Sequence, residues 1–258
     1  VSTSPPAPGS LESVSQTTSS ITLSWAAPSV TTGSAVTGYN VYINDGSNAD
    51  PSTVVSCGGG ALSTTCTASG LTGGVSYRFQ VSALSTTGES DRSSVLTQLT
   101  APAEVAANSM TFGSITMTSM VLTWTAPSGA TPTGYIVYRD DGDSSAMPTP
   151  SIVVFEGDAL TATASGLTGG TSYTYMVAAL SESGVGDVSG LSTQSTSPAA
   201  PLDLSSVTQT STSISLSWSA SVVSGGSAVT SYNVYRNDGS SVDAPLSDTA
   251  ALTTSDGS

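Results

Sequence analysis

The acidic run RDDGDSS contains Asp140, Asp141 and Asp143, whose carboxylates are close enough in the sequence to act on one cation. Calcium sites in proteins need about six to eight oxygen ligands, and the helix–loop–helix calcium pattern ends in a bidentate glutamate at its twelfth position. The twelfth position counted from Asp140 is Ser151, so the pattern is incomplete. A solvated hairpin turn is therefore the favoured interpretation, a weak calcium site is the alternative, and no metal is predicted.

The chain has two cysteines, Cys57 and Cys66, which flank the stretch GGGALSTT. Two cysteines cannot supply the four ligands of tetrahedral zinc in a chain that has no histidine. A local disulfide is predicted, with two free buried thiols as the alternative. Such a short disulfide loop would add about 2–3 kcal/mol of stability. It would also indicate an oxidising, extracellular-type compartment.

The charged residues exclude several classes of protein. The 258 residues include no histidine, no lysine, four arginines and 18 acidic residues, for a formal net charge of −14. Without histidine no Ser–His or Cys–His nucleophile can be built, and the carboxylates lie mostly in predicted turns rather than in a pocket suited to glycoside hydrolysis. Neither an enzyme nor a cofactor is predicted. Four scattered arginines cannot form a nucleic-acid surface, and no apolar run is long enough for a membrane span.

A longer pattern, repeated three times, indicates the elements that carry these residues. Trp25, Trp124 and Trp218 end the runs ITLSW, MVLTW and ISLSW, and each is followed by a tyrosine-rich run: TGYNVYIND, TGYIVYRDD and TSYNVYRND. The copies recur about every 95 residues, the size of a small domain. Ile21, Leu23 and Trp25 alternate with polar residues, which predicts a strand with one buried face. Short strands separated by turn signals predict an all-β sandwich.

An octapeptide completes the pattern. The sequence GLTGGVSY, residues 70–77, returns as GLTGGTSY, residues 166–173. Together with the tryptophan and tyrosine runs, it resembles the fibronectin type III family, whose members carry a Trp on the second strand, Tyr-x-Val-Tyr on the third and a Leu-x-x-Gly-x-x-Tyr corner before the sixth. The resemblance covers nearly the whole chain and implies tandem immunoglobulin-like β-sandwiches. The positions that it marks as core or tyrosine corner are Trp25, Leu71, Tyr77, Trp124, Leu167, Tyr173 and Trp218.

The resemblance divides the chain into domains at residues 1–100 and 101–198 and an incomplete third domain at 199–258, which lacks the last strands. The junctions are short and contain proline, which favours a stiff rod over a flexible tether. The third copy of the octapeptide is absent. Two explanations remain open: the sequence is part of a longer array, or a neighbouring subunit donates the missing strands and builds a head-to-tail filament.

Surface chemistry adds two expectations. The loop GESDRSS, residues 88–94, corresponds to the loop in which some family members carry Arg-Gly-Asp, but that tripeptide is absent here. No Asn-x-Ser/Thr sequon exists, which excludes the usual N-glycosylation. Hydroxyl residues beside proline are typical of O-glycosylation, although threonine also suits strands and serine suits turns. The candidate O-glycosylation positions are Ser4, Thr131, Thr133, Thr149 and Ser197.

The predicted function is that of a non-enzymatic structural protein, extracellular or on a cell surface. It would be a rod-like spacer or a filament-forming subunit, with neighbouring repeats as its partners and with covalent O-glycans. The alternative is a binding or adhesion module array, or the accessory region of a larger secreted carbohydrate-active enzyme or adhesin. An exposed aromatic platform would favour the alternative, whereas the aromatic residues fall mostly on core-like positions.

Overall fold

The computed structural model describes residues 3–234 except 30–33, 107, 141–151, 224, 225 and 227. Across these residues the regular structure consists of antiparallel strands, numbered β1 to β18 in chain order. They form two sandwiches, here called domain 1 and domain 2, and a two-stranded sheet, here called domain 3. The fold class is therefore all-β, with tandem sandwiches, as the alternating runs predicted.

Domain 1 packs a three-stranded sheet against a larger one. The first sheet has the order β1-β2-β5, and the second has the order β4-β3-β6-β7 with β8 also paired to β6. The strands are β1 (Gly9–Gln16), β2 (Ser20–Ala26), β3 (Val36–Ile43), β4 (Thr53–Val55), β5 (Thr65–Ser69), β6 (Ser76–Ser85), β7 (Gly88–Glu89) and β8 (Leu96–Leu99).

The core of domain 1 lies between the two sheets. Ile21, Leu23 and Trp25 of β2 are at most 6% exposed and pack into one cluster with Phe79 and Val81 of β6. Alternate residues of each strand point to opposite faces, so the period of two places these side chains inward. This burial of apolar area is the main driving force for folding.

Domain 2 repeats the arrangement with its own core. The smaller sheet has the order β13-β10-β9, and the larger has the order β12-β11-β14-β15 with β16 also paired to β14. Trp124, Tyr175 and Val177 are at most 2% exposed within its core cluster. The strands are β9 (Thr111–Gly113), β10 (Ser119–Thr123), β11 (Gly134–Arg139), β12 (Ile152–Gly157), β13 (Thr161–Ser165), β14 (Ser172–Ser181), β15 (Gly184–Val185) and β16 (Ser192–Ser195).

Domain 3 is described through residue 234 and contains one hairpin, β17 (Leu202–Gln209) paired with β18 (Ile214–Ser219). The ring of Trp218 lies edge-on to Tyr232 at 5.6 Å between centroids. This is the same pairing as Trp25 with Tyr39 at 5.4 Å and Trp124 with Tyr135 at 5.8 Å. The edge-on contact between tryptophan and tyrosine is therefore common to all three repeats.

The octapeptide forms the connection from the smaller sheet to the larger one in both sandwiches. Its tyrosine is buried, and the tyrosine hydroxyl accepts a hydrogen bond from the backbone N–H of the octapeptide threonine: Thr72 to Tyr77 and Thr168 to Tyr173, both at 2.9 Å. The leucine differs between the copies, because Leu167 is buried whereas Leu71 is half-buried. The repeated bond closes the corner in the same way in each domain.

A disulfide joins Cys57 to Cys66 in domain 1. Cys66 lies on β5 opposite Leu23 and is 3% exposed, while Cys57 follows β4 of the other sheet. The bond therefore connects the edges of the two sheets. In domain 2 the register places Ala162 opposite Leu122 at the corresponding position.

Removal of the disulfide tests its contribution to domain 1. The double substitution C57A/C66A is expected to lower the free energy of unfolding of domain 1 by about 2–3 kcal/mol, because the unfolded chain is no longer constrained. Native-state hydrogen exchange measures this at the amide of Phe79, with Val177 as the reporter for domain 2. Reductant provides the control, since it should destabilise the natural sequence and leave C57A/C66A unchanged. Equal stability of the two proteins would contradict the prediction.

The tyrosine corner gives a second test. Tyr77→Phe and Tyr173→Phe each remove the acceptor of a part-buried hydrogen bond, which is expected to cost about 1 kcal/mol in the substituted domain. Tyr39→Phe is the matched control, because the Tyr39 hydroxyl has no hydrogen bond to any residue that the structure describes. Urea titration, combined with hydrogen exchange, measures each loss. A cost at Tyr39 equal to that at Tyr77 would show that the corner bond does not stabilise the fold.

Candidate functional site

The acidic run is only partly described. Asp140 is buried at 4% exposure at the end of β11, and its backbone N–H donates to the Thr174 carbonyl at 3.0 Å. Asp141 and Asp143 lie outside the described residues. Within the described part of the chain, no three His, Cys, Asp or Glu side chains come together in a way that could hold a metal ion.

The loop 88–94 is held to the sheet of domain 1 by a hydrogen-bond cluster centred on Glu89. The Glu89 carboxylate accepts bonds from the Tyr42 and Ser82 hydroxyls, and from the Asn40 amide at 3.2 Å. The bonds from Ser82 and Tyr42, in that order, lower the pKa of Glu89 below its ordinary value, so the carboxylate stays charged. All three bonds end on Oε1, so one oxygen of the carboxylate is engaged with the protein itself.

Arg92 covers the aromatic ring that this cluster leaves at the surface. Its guanidinium lies 3.6 Å from the centroid of the Tyr42 ring, and its Nη1 donates to the Pro51 carbonyl at 2.6 Å. The Ser90 and Ser93 hydroxyls accept bonds from the backbone N–H groups of Ala83 and Val81. Four side chains of the loop therefore serve to fix it: Glu89, Ser90, Arg92 and Ser93.

The aromatic side chains do not form a platform for a flat ligand. Among the described residues, every Trp, Tyr and Phe is buried or half-buried. Burial raises the pKa of Tyr175 to about 12, which keeps the hydroxyl neutral inside the core of domain 2. A sugar ring stacks on an exposed aromatic face, whereas the described aromatic residues of domains 1 and 2 are buried or half-buried and those of domain 3, Trp218 and Tyr232, line a cavity.

Two cavities among the described residues are candidates for ligand sites. One, of about 150 Å³, lies beneath the disulfide loop of domain 1 and is lined by Trp25, Tyr39, Cys57 and neighbouring residues. The other, of about 260 Å³, lies on domain 3 between Leu204, Trp218 and Tyr232. Both fall below the usual size of small-molecule pockets, about 300–1,000 Å³. The first cavity includes Cys57, whose sulfur is already bonded to Cys66, and neither is lined by a described acidic residue.

The candidate O-glycosylation positions differ in their surroundings. Ser4, Thr131 and Thr133 are exposed, and Thr149 lies outside the described residues. Ser197 is half-buried, and its hydroxyl donates to the Ile115 carbonyl at 3.3 Å. Glycans at the three exposed positions remain a prediction, whereas the engaged hydroxyl of Ser197 makes that position less suited to modification.

Contacts between consecutive domains are the feature that the sequence motifs did not predict. The backbone N–H of Ala130 in domain 2 donates to the carbonyl of Gly74 in domain 1 at 2.8 Å. The Thr18 hydroxyl of domain 1 also donates to the Asp187 carboxylate of domain 2. Backbone bonds of this kind carry no residue signature, so only the folded chain reveals them.

The searched part of the chain contains no helix with the length and hydropathy to cross a membrane.

Comparison with known proteins supports the same architecture. A family model described as "Fibronectin type III domain" matches residues 6–99 and 104–195. Exoglucanase B of Cellulomonas fimi is 34% identical over 272 aligned positions, covering 96% of this chain and 23% of that protein. Chitinase A1 of Niallia circulans is 34% identical over 196 positions, covering 70% of this chain and 24% of that protein.

Endoglucanase B of Cellulomonas fimi is 33% identical over 258 positions, covering 92% of this chain and 23% of that protein. The chain thus spans less than a quarter of the length of these curated relatives. The family model, in contrast, matches most of the chain, and its two ranges contain the two sandwiches with their tyrosine corners. On this ground, the chain belongs to the fibronectin type III domain family.

Proposed function

We propose that this chain is a non-catalytic accessory region of a secreted enzyme that degrades an insoluble polysaccharide such as a glucan or chitin. The observation that carries the proposal is the set of relatives, Exoglucanase B, Chitinase A1 and Endoglucanase B, each similar to this chain over a small part of its own length. The sequence predicted two functions, a filament-forming structural protein and an accessory region of a larger enzyme. The relatives favour the accessory region. An extracellular location agrees with the disulfide, which persists in oxidising compartments.

Within such an enzyme, the chain acts as a spacer. In domains 1 and 2 the described aromatic side chains are buried or half-buried, and Arg92 covers Tyr42, so they offer little surface for stacking on sugars. The loop 88–94 uses its polar groups internally. Short segments and direct contacts connect consecutive domains, which suits a part that sets a distance better than one that binds.

Two measurements test the spacer. The isolated chain is expected to remain in the supernatant with cellulose or chitin particles, because the aromatic side chains described in domains 1 and 2 are buried or half-buried. Placed between a catalytic domain and a carbohydrate-binding domain, it is expected to raise sugar release from insoluble substrate by about twofold or more over direct fusion, because it extends the reach of the catalytic domain. Release from a soluble oligosaccharide should be equal in both fusions, which controls for the catalytic step.

Other outcomes would contradict the proposal. Retention of the isolated chain on either particle would identify a binding module. Equal release from insoluble substrate by both fusions would exclude a spacing role. Regular fibres in electron micrographs of the isolated chain would favour the filament that the sequence also predicted.

A further inference from the structure

The turn at the second glycine of the octapeptide touches the following domain at both junctions. At the first junction, the Gly74 carbonyl accepts the bond from the Ala130 N–H at 2.8 Å. At the second, a Cβ added to Gly170 would lie 2.9 Å from the Val222 carbonyl oxygen and 3.2 Å from the Val223 Cα. In each case the touching residue of the next domain lies in the loop that follows its tryptophan, Trp124 or Trp218. The same two parts of the repeat therefore meet twice.

A second glycine lies on the other side of each contact. A Cβ added to Gly129 would lie 2.8 Å from the Gly74 carbonyl oxygen, and 3.2 Å from its carbon. A Cβ on Gly226 would collide with the Gly170 carbonyl oxygen in the same way. Real Cβ atoms do not approach a backbone oxygen so closely, so both loops come this near only because they carry glycine at the point of contact.

The segment between the domains is fixed to the same turn. The Gly74 N–H donates to the Ala101 carbonyl at 2.8 Å, and the Gly170 N–H donates to the Ser197 carbonyl at 2.8 Å. At the first junction, a Cβ on Gly186 would lie 2.6 Å from the Pro102 carbonyl oxygen, so a second loop of domain 2 also reaches the segment. At the first junction, the N–H of Gly74 therefore holds the interdomain segment, and the carbonyl of Gly74 contacts domain 2.

We propose that the paired-glycine turn at residues 73–74 is a docking site for the glycine-bearing loop of the next domain, and that the turn at residues 169–170 repeats it. The kind of partner it fits is a fibronectin type III domain with a glycine in the loop that follows the residue equivalent to Trp124. Docking holds neighbouring domains at one angle in solution. We call the contact between the paired-glycine turn and the glycine-bearing loop the joint. The inference concerns the joint alone and does not depend on the protein to which the chain is attached.

A pair of glycine substitutions in domain 2 tests the joint. Gly129 has φ +101° and faces Gly74, while Gly184 has φ +115° and no other atom within 4 Å of an added Cβ. Gly129→Ala and Gly184→Ala therefore impose a similar left-handed strain, but only the first places a methyl group against domain 1. Circular dichroism and the hydrogen-exchange stability at Val177 verify that domain 2 stays folded in both variants.

Two readouts follow the docking in the whole chain. In the natural sequence, the Ala130 amide is expected to exchange at least about tenfold more slowly than an unprotected amide, because it is bonded to Gly74. Gly129→Ala should abolish that protection and broaden the distribution of distances in small-angle X-ray scattering, whereas Gly184→Ala should preserve both. Unprotected exchange at Ala130 in the natural sequence would overturn the proposal, as would unchanged scattering in Gly129→Ala.

Discussion

The left-handed backbone at the second octapeptide glycine, φ +69° at both Gly74 and Gly170, is the constraint on which the rest of the structure depends. This conformation reverses the chain between the two sheets. The reversal places the hydroxyl of Tyr77 or Tyr173 where it accepts a hydrogen bond from the backbone N–H of Thr72 or Thr168. The N–H of the same glycine holds the interdomain segment. A residue with a side chain would be strained here. Its Cβ would also lie 2.9 Å from the Val222 carbonyl oxygen at Gly170 and 3.3 Å from the Ala130 nitrogen at Gly74.

The two sandwiches use different means to secure the same core. Domain 1 joins its sheet edges through the Cys57–Cys66 bond and fixes its last loop through Glu89. Domain 2 packs more aromatic area, with Phe155 edge-on to Trp124 at 5.6 Å between centroids and Phe112 beside Tyr175 at 5.7 Å. Apolar and aromatic burial can therefore replace a covalent link at this position without a change of architecture.

The alternating runs and the repeated motifs were enough to predict strands such as β2, the sandwich class and the corner, because these depend on residues near one another in the sequence. The Glu89 cluster was not predictable, since Asn40, Tyr42 and Ser82 reach it only once β3 and β6 are paired. The contact of Gly129 with Gly74 was not predictable either, because a glycine that meets another domain looks in the sequence like any turn glycine. The proposal for the function needed the comparison with larger relatives, since the described residues do not assemble a chemical site of their own.

The position of the joint has a consequence for how such chains lengthen. Domain 2 carries the loop glycine, Gly129, at one pole and the paired-glycine turn, at residues 169–170, at the other. Duplication of the gene segment for one domain would therefore create a copy that already matches its neighbour at both junctions. An array can gain or lose whole units in this way without new mutations at the boundaries, and its length is free to vary in steps of one domain.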